Sequence, residues 1–277
     1  VVDMEKLKVA SLFCGCGGTD VGLLGDFEFL GNHYASNDLE IVYANGIDDN
    51  ACNIFRKNFG IKPDNRDIRE VASDEIPEFD ILTGGFPCQS FSIIAQNPKR
   101  LGVKDERGKL FFEMCRILRE KQPKCFIAEN VKGILTANKK SAFPLIIKEF
   151  EESGYDVWYS ILNSANYGVP QKRERVIIVG FRKDLGVKFE FPEVIVRDEK
   201  AFTPLSKVIE NEVDEKYFFS QRAVDGMMKK RASMNKGRAQ DVTKPCNTVG
   251  AHLAKVSLNS TDPVLFVGER YRRFTPR

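Results

Sequence analysis

The feature that most constrains this chain is an alternation of short apolar runs with amphipathic stretches through its first two-thirds. Six runs read as strands: "KVASLF" (8–13), "IVYANG" (41–46), "FDILTGG" (79–85), "KCFIAEN" (124–130), "DVWYSILN" (156–163) and "RVIIVGF" (175–181). Helical spacing appears between them. "DNACNIFRKNF" (49–59) follows the second run, and "RGKLFFEMCRILREK" (107–121) sets Leu110, Phe111, Met114, Ile117 and Leu118 on one face. "AFPLIIKEFEESG" (142–154) stops on a glycine, where a helix ends readily. Strands apolar on both faces, alternating with helices, predict an α/β fold with a mainly parallel, doubly wound sheet. The last two runs are joined only by "SANYGVPQKRE", too short for a crossover helix, so they are expected to run antiparallel.

The alternation ends near residue 183. From there to about 269 the chain mixes charged, short apolar and Asn/Gly/Ser-rich pieces, which reads as a second, smaller module. Residues 222–238, "RAVDGMMKKRASMNKGR", carry six basic side chains against one acid, while the whole chain nets only +3. A basic patch of this kind fits either a solvated helix face or a nucleic-acid surface. No apolar run is long enough for a membrane helix, and "VVDMEKLK" lacks the basic start and apolar core of a secretory signal. An intracellular protein is expected.

Seven irregularly spaced cysteines and only two histidines, with no C-x-x-C pair, argue against a zinc site and a disulfide framework. Ser-His and Cys-His catalysis are also poorly supplied. Chemistry must then run on Cys, carboxylates and Arg.

In open α/β sheets, ligands bind beyond the carboxyl ends of the strands. The unusual residues of this chain lie at those ends. "FCGCGGTDVG" follows the first run, "GGFPCQSFS" the third and "ENVKG" the fourth. Glycine there admits a ligand close to the backbone, and the departure from G-x-G-x-x-G speaks against a nicotinamide dinucleotide. A lone cysteine such as Cys88 usually packs as a small hydrophobe. Taken with Glu129 and the arginines of "QKRER", it points elsewhere. A thiolate adds at C6 of cytosine if an acid protonates or hydrogen-bonds N3 as the bond forms, and Glu129 at a strand end is suited to that. Arginine can hold the base oxygen and a flanking phosphate. The adduct makes C5 nucleophilic toward a sulfonium methyl group, and the base must leave the duplex stack to react.

These motifs, in this order and over nearly the whole length, resemble the cytosine-C5 DNA methyltransferases of bacterial restriction-modification systems. "SLFCGCGG" looks like their donor-binding motif, "GGFPCQSFS" like the nucleophile motif, and "ENVKG" like the glutamate motif. "NYGVPQKRERVIIVGFR" looks like the arginine motif, and "RYRRFTPR" like the motif after the target-recognition region. The resemblance implies a Rossmann-like S-adenosylmethionine-dependent methyltransferase fold. It divides the chain into a catalytic domain (1–182), a target-recognition region (183–269) and the start of a following motif (270–277). It makes Cys88 the nucleophile, Glu129 the group at N3, and Arg173 and Arg175 the base and phosphate contacts. It places S-adenosylmethionine, with no metal, against Phe13, Gly15, Gly17, Gly18, Asp67, Ile68, Pro87 and Leu110. It implies DNA contacts from Ser90, Ser92, Gln171, Arg231, Lys236, Arg238 and Arg272.

Two departures stand out. Gly46 occupies the place where the family carries an acid for the cofactor ribose, leaving Asp48 or Asp49 to substitute. The family's last motif is not found, so a longer chain or a second polypeptide is expected to supply it. The implied partners are duplex DNA and, by analogy, a cognate restriction endonuclease, with no membrane, in the cytoplasm near the nucleoid. Ile93 and Ile94 are expected to wedge into the space left by the flipped base. Methylation of tRNA by the same fold, a DNA-binding homologue with impaired catalysis, and a thiol redox or hydrolytic enzyme are the competing readings.

Overall fold

The computed structural model of the chain describes residues 5–87, 109–228, 239–250 and 263–276. In chain order its first strands are β1 (Leu7–Leu12), β2 (Phe27–Phe29), β3 (Asn32–Tyr34), β4 (Leu39–Asn45), β5 (Ile81–Gly84) and β6 (Cys125–Val131). They are followed by β7 (Tyr155–Asn163), β8 (Gln171–Lys172), β9 (Glu174–Arg182), β10 (Cys246–Asn247), β11 (Leu265–Val267) and β12 (Arg270–Arg272). The helices are α1 (Gly18–Leu24), α2 (Asp49–Phe59), α3 (Lys109–Lys121), α4 (Ala142–Glu152) and α5 (Gln221–Met228).

Six strands form one sheet in the order β4-β1-β5-β6-β9-β7. β4, β1, β5 and β6 pair in parallel, and β9 returns antiparallel to β6 with Val131 opposite Arg175. β7 and β9, joined by the short link, are neighbours at the sheet edge. Successive residues of β1 serve opposite faces, as the pleat requires. Val9 packs with Ile41, Ala44, Phe55 and Ile81 on the α2 side. Ala10 and Leu12 pack with Leu82, Phe111, Met114, Ile117, Leu118, Ile146 and Phe150 on the α3 and α4 side. Removing a fully buried ring such as Phe111 would cost about 3–5 kcal/mol.

α2 runs over the predicted residues because both ends are specified. The Asp48 carboxylate accepts from Ala51 N at 2.8 Å, and Gly60 adopts the left-handed cap. The hairpin of β2 and β3 was not foreseen. Its strands are too short to show a period, and Leu30 and Gly31 both have positive φ, as a tight type I′ turn demands.

The chain forms two compact units, residues 1–161 with 175–191, and residues 162–174 with 192–277. They interleave along the sequence, whereas the expected division runs in chain order as 1–182, 183–269 and 270–277. The first unit holds the large sheet. In the second, β8 pairs parallel to β10, β11 pairs antiparallel to β12, and Leu205, Cys246 and Leu265 form a small core. No helix among the described residues is long and apolar enough to cross a membrane.

Candidate active site and donor cavity

In the first unit a cavity of about 240 Å³ opens at the carboxyl ends of β1 and β4. Phe13 and Gly15, just after β1, form part of its wall. Both have φ +54°, and Phe13 is therefore held in a conformation that non-glycine residues seldom adopt. Gly17, at φ +90°, does not line the cavity. A Cβ there would lie 2.1 Å from the Phe59 ring, so glycine lets the start of α1 close onto α2. Gly18 begins α1 and also lies off the wall.

Across from Phe13 come Asn45, Gly46, Ile47 and Asp48. A side chain at Gly46 would start 3.1 Å from Cys14 Sγ and 3.5 Å from Cys52 Sγ, so two thiols fill the space beneath it. Burial pushes the Cys14 thiol up to about 12, and it stays protonated at neutral pH. Asp48 reaches the wall as the cap of α2, whereas Asp49 turns its carboxylate to Asn65 Nδ2 at 2.8 Å. Between the two candidate acids, only Asp48 lines the cavity.

Asp67 and Ile68 form a further wall, on a loop tied to β4 through Asn45, whose Nδ2 donates to the carbonyls of Asp64 and Arg66. Arg69 donates Nε and Nη2 to Asp67 at 2.9 and 2.6 Å, and this pairing holds the Asp67 carboxyl below its ordinary range. Arg66 lowers Asp64 in the same way. Pro87 and Leu110, from the β5 turn and the first turn of α3, complete the expected residues on the wall. The lining is mostly apolar, with Asp48, Asp67 and Arg66 as its charged residues.

The β5 turn is fixed from two sides. Phe86 is buried against Phe111, ring centroids 5.1 Å apart, and its carbonyl accepts from Asn130 Nδ2 at 3.0 Å. Asn130, 2% exposed, thus ties "ENV" to "GFPC". Nothing in the sequence pattern marks this residue, although a buried Asn must find partners. Its neighbour Glu129 sits against the same turn, with Oε2 3.3 Å from where a Cβ on Gly85 would be. Arg175 Nε lies 2.7 Å from Glu129 Oε1.

Arg173 and Gln171 belong to the second unit. The Arg173 backbone is pinned to Asn163 Oδ1 and Ser164 N, and Gln171 pairs with Cys246 across β8 and β10. Arg272, expected to contact DNA, lies in the second unit. Its side chain is buried, 2% exposed, and donates to the carbonyls of Glu210 and Arg273, so it holds the second unit together. Desolvation lowers its pKa. Cys88, Ser90, Ser92, Ile93, Ile94, Arg231, Lys236 and Arg238 lie outside the described residues. No group of three or more metal-ligating side chains occurs among the described residues.

Residues 7–275 match the family described as C-5 cytosine-specific DNA methylase. The chain belongs to that family. Over 197 residues it is 46% identical to the type II methyltransferase M.FnuDI of Fusobacterium nucleatum, covering 71% of this chain and 53% of that one. Over 191 residues it is 47% identical to M.NgoFVII of Neisseria gonorrhoeae, covering 68% and 47%. The chain spans about half the length of the curated relatives it matches. Among solved structures, the Schizosaccharomyces pombe Dnmt2 methyltransferase superposes with a TM-score of 0.73 at 18% identity, covering 95% of this chain and 78% of that one. The Entamoeba histolytica methyltransferase EhMeth does so at 0.75 and 17%, covering 99% and 84%. The fold is the Rossmann-like fold of these methyltransferases.

Proposed function

We propose that the protein is a DNA (cytosine-5-)-methyltransferase that moves a methyl group from S-adenosylmethionine to C5 of a cytosine flipped out of a specific duplex sequence. The observation that carries this is the turn before Cys88. Pro87 faces the cavity, and Asn130 and Glu129 brace the same turn. Pro87, which precedes Cys88 in the sequence, and Glu129 thus lie at the carboxyl ends of the neighbouring strands β5 and β6, in a chain of the cytosine-C5 family, and this supports Cys88 as the nucleophile.

Cys88 supplies the thiolate that adds to C6. Glu129 meets N3 and carries the proton there as the bond forms. Arg175 fixes the Glu129 carboxylate, and Arg173 and Arg175 take the base oxygen and phosphate. When bound, S-adenosylmethionine supplies an electrophilic methyl group on a positive sulfur. Phe13, Asp48, Asp67, Ile68 and Leu110 bind and orient its nucleoside. Once C5 carries the methyl group, the C5 proton passes to a solvent base, the N3 proton returns to Glu129, and the C6–S bond breaks to release the Cys88 thiolate and restore the ring. The base is extruded from the stack for this chemistry. Residues 183–269, with Arg231, Lys236 and Arg238, choose the sequence. A cognate restriction endonuclease is the partner to which the relatives' type II names point, and the cytoplasm is where both would meet DNA.

The test is transfer of labelled methyl groups to mixed-sequence duplex DNA and to tRNA, with the modified bases mapped. Label at C5 of cytosine in one DNA context, reduced to background in Cys88→Ser, is the expected result. Label in tRNA alone, or full activity in Cys88→Ser, would overturn it.

A further inference from the structure

The cavity walls at Asp67 and Ile68 do not stand on a strand. Asp67 caps and Ile68 begins a one-turn helix, Ile68–Glu70, which a second, Ser73–Glu75, follows before β5. Such a segment has few ladder bonds of its own, and its buried carbonyls need partners from elsewhere. Ile68 and Val71 are both buried.

Beyond the segment's own turn bonds, among them Val71 N to Ile68 O at 3.3 Å, one side chain supplies donors. Arg116 of α3 donates Nη2 to Val71 O at 2.9 Å and to Ile68 O at 3.3 Å, and Nη1 to Ser73 Oγ at 2.7 Å. Glu113, one turn earlier on α3, accepts from Arg116 Nε at 2.7 Å and sets the plane of the guanidinium. Arg116 does not line the donor cavity. It faces a separate groove behind the loop, with Ser73, Glu120 and Lys121. Leu110, at the start of the same helix, lies on the cavity wall. The fork therefore joins two walls of the cavity from outside, a geometry that a lysine cannot reproduce.

We propose that Arg116 is a positioning residue for the methyl donor, holding the Asp67–Val71 loop at the spacing from α3 that the nucleoside requires. The inference rests on reading the cavity as the donor site. Arg116 touches neither substrate nor reacting atoms, so it acts on donor affinity and leaves the chemical step alone.

Calorimetric binding of S-adenosylhomocysteine to the protein, with steady-state kinetics, tests this. Arg116→Met keeps the stem but removes the guanidinium donors from Val71 O and Ser73 Oγ and leaves Ile68 O only the Val71 N–H. It should raise the Kd and the donor KM at least about tenfold, as expected for losing charge-assisted hydrogen bonds, with kcat at saturating donor unchanged. Arg116→Lys should fall between it and the wild type. Arg119→Met is the control. Arg119 pairs with Glu149 at 2.7 Å on the same helix and does not reach the loop, so its loss should leave the Kd unchanged. A wild-type Kd in Arg116→Met, an equal rise in Arg119→Met, or a fall in kcat matching that in kcat/KM would overturn the proposal. If Arg116→Met does not fold, Arg116→Lys decides by the same readings. A wild-type protein that fails to bind S-adenosylhomocysteine would overturn the reading of the cavity itself.

Discussion

Asp67 meets the cavity with its carboxylate already engaged by Arg69, and that pairing fixes how the site responds to acid. A carboxylate has acceptor directions to spare beyond a bidentate guanidinium, so the pair orients the group without using it up. Because the folded pKa lies below the ordinary carboxyl value of about 4, the pair's contribution is complete above that value. It fades as pH falls through the lower, folded value. Arg69→Met should let the folded pKa climb back, moving the acid limb of S-adenosylhomocysteine binding to higher pH. Binding measured as a function of pH checks this, and an unmoved limb in Arg69→Met would remove the pair from the account.

At the scale of elements, the cavity depends on where α2 begins. Asp48 both caps that helix and lines the wall, and substitution separates the two roles. Asp48→Ala should cost about 1 kcal/mol of stability in chemical denaturation, whereas Asp48→Asn keeps a capping oxygen and should cost far less. Equal losses would show that the cap is not what Asp48 contributes to stability. The same helix explains what was legible beforehand. Asp48, an amphipathic run and Gly60 agree, so its bounds follow from the residues alone. α3 reads equally well, because Phe111, Met114, Ile117 and Leu118 share a buried face. The loop at 68–75 does not, since one-turn helices have no period and are held by side chains far away in sequence. Arg116 and Asn130 work through backbone carbonyls, which leave no mark on sequence pattern. The burial of Arg272 is equally silent in the sequence, because a charged residue reads as surface until its carbonyl partners are seen.

For the whole molecule, the first unit assembles the cavity, the Pro87 turn and Glu129. The expected recognition residues fall in the second, whose α5 opens the basic stretch at 222–238. The proposed reaction requires that Cys88 form a bond to the base. Duplex DNA carrying 5-fluorocytosine tests this, because fluorine at C5 cannot leave as a proton and the adduct is held after methylation. A covalent protein–DNA complex that requires S-adenosylmethionine is expected, with the base on the peptide containing Cys88. Methylation of ordinary cytosine with no trapped complex, or a complex mapped to another cysteine, would contradict it.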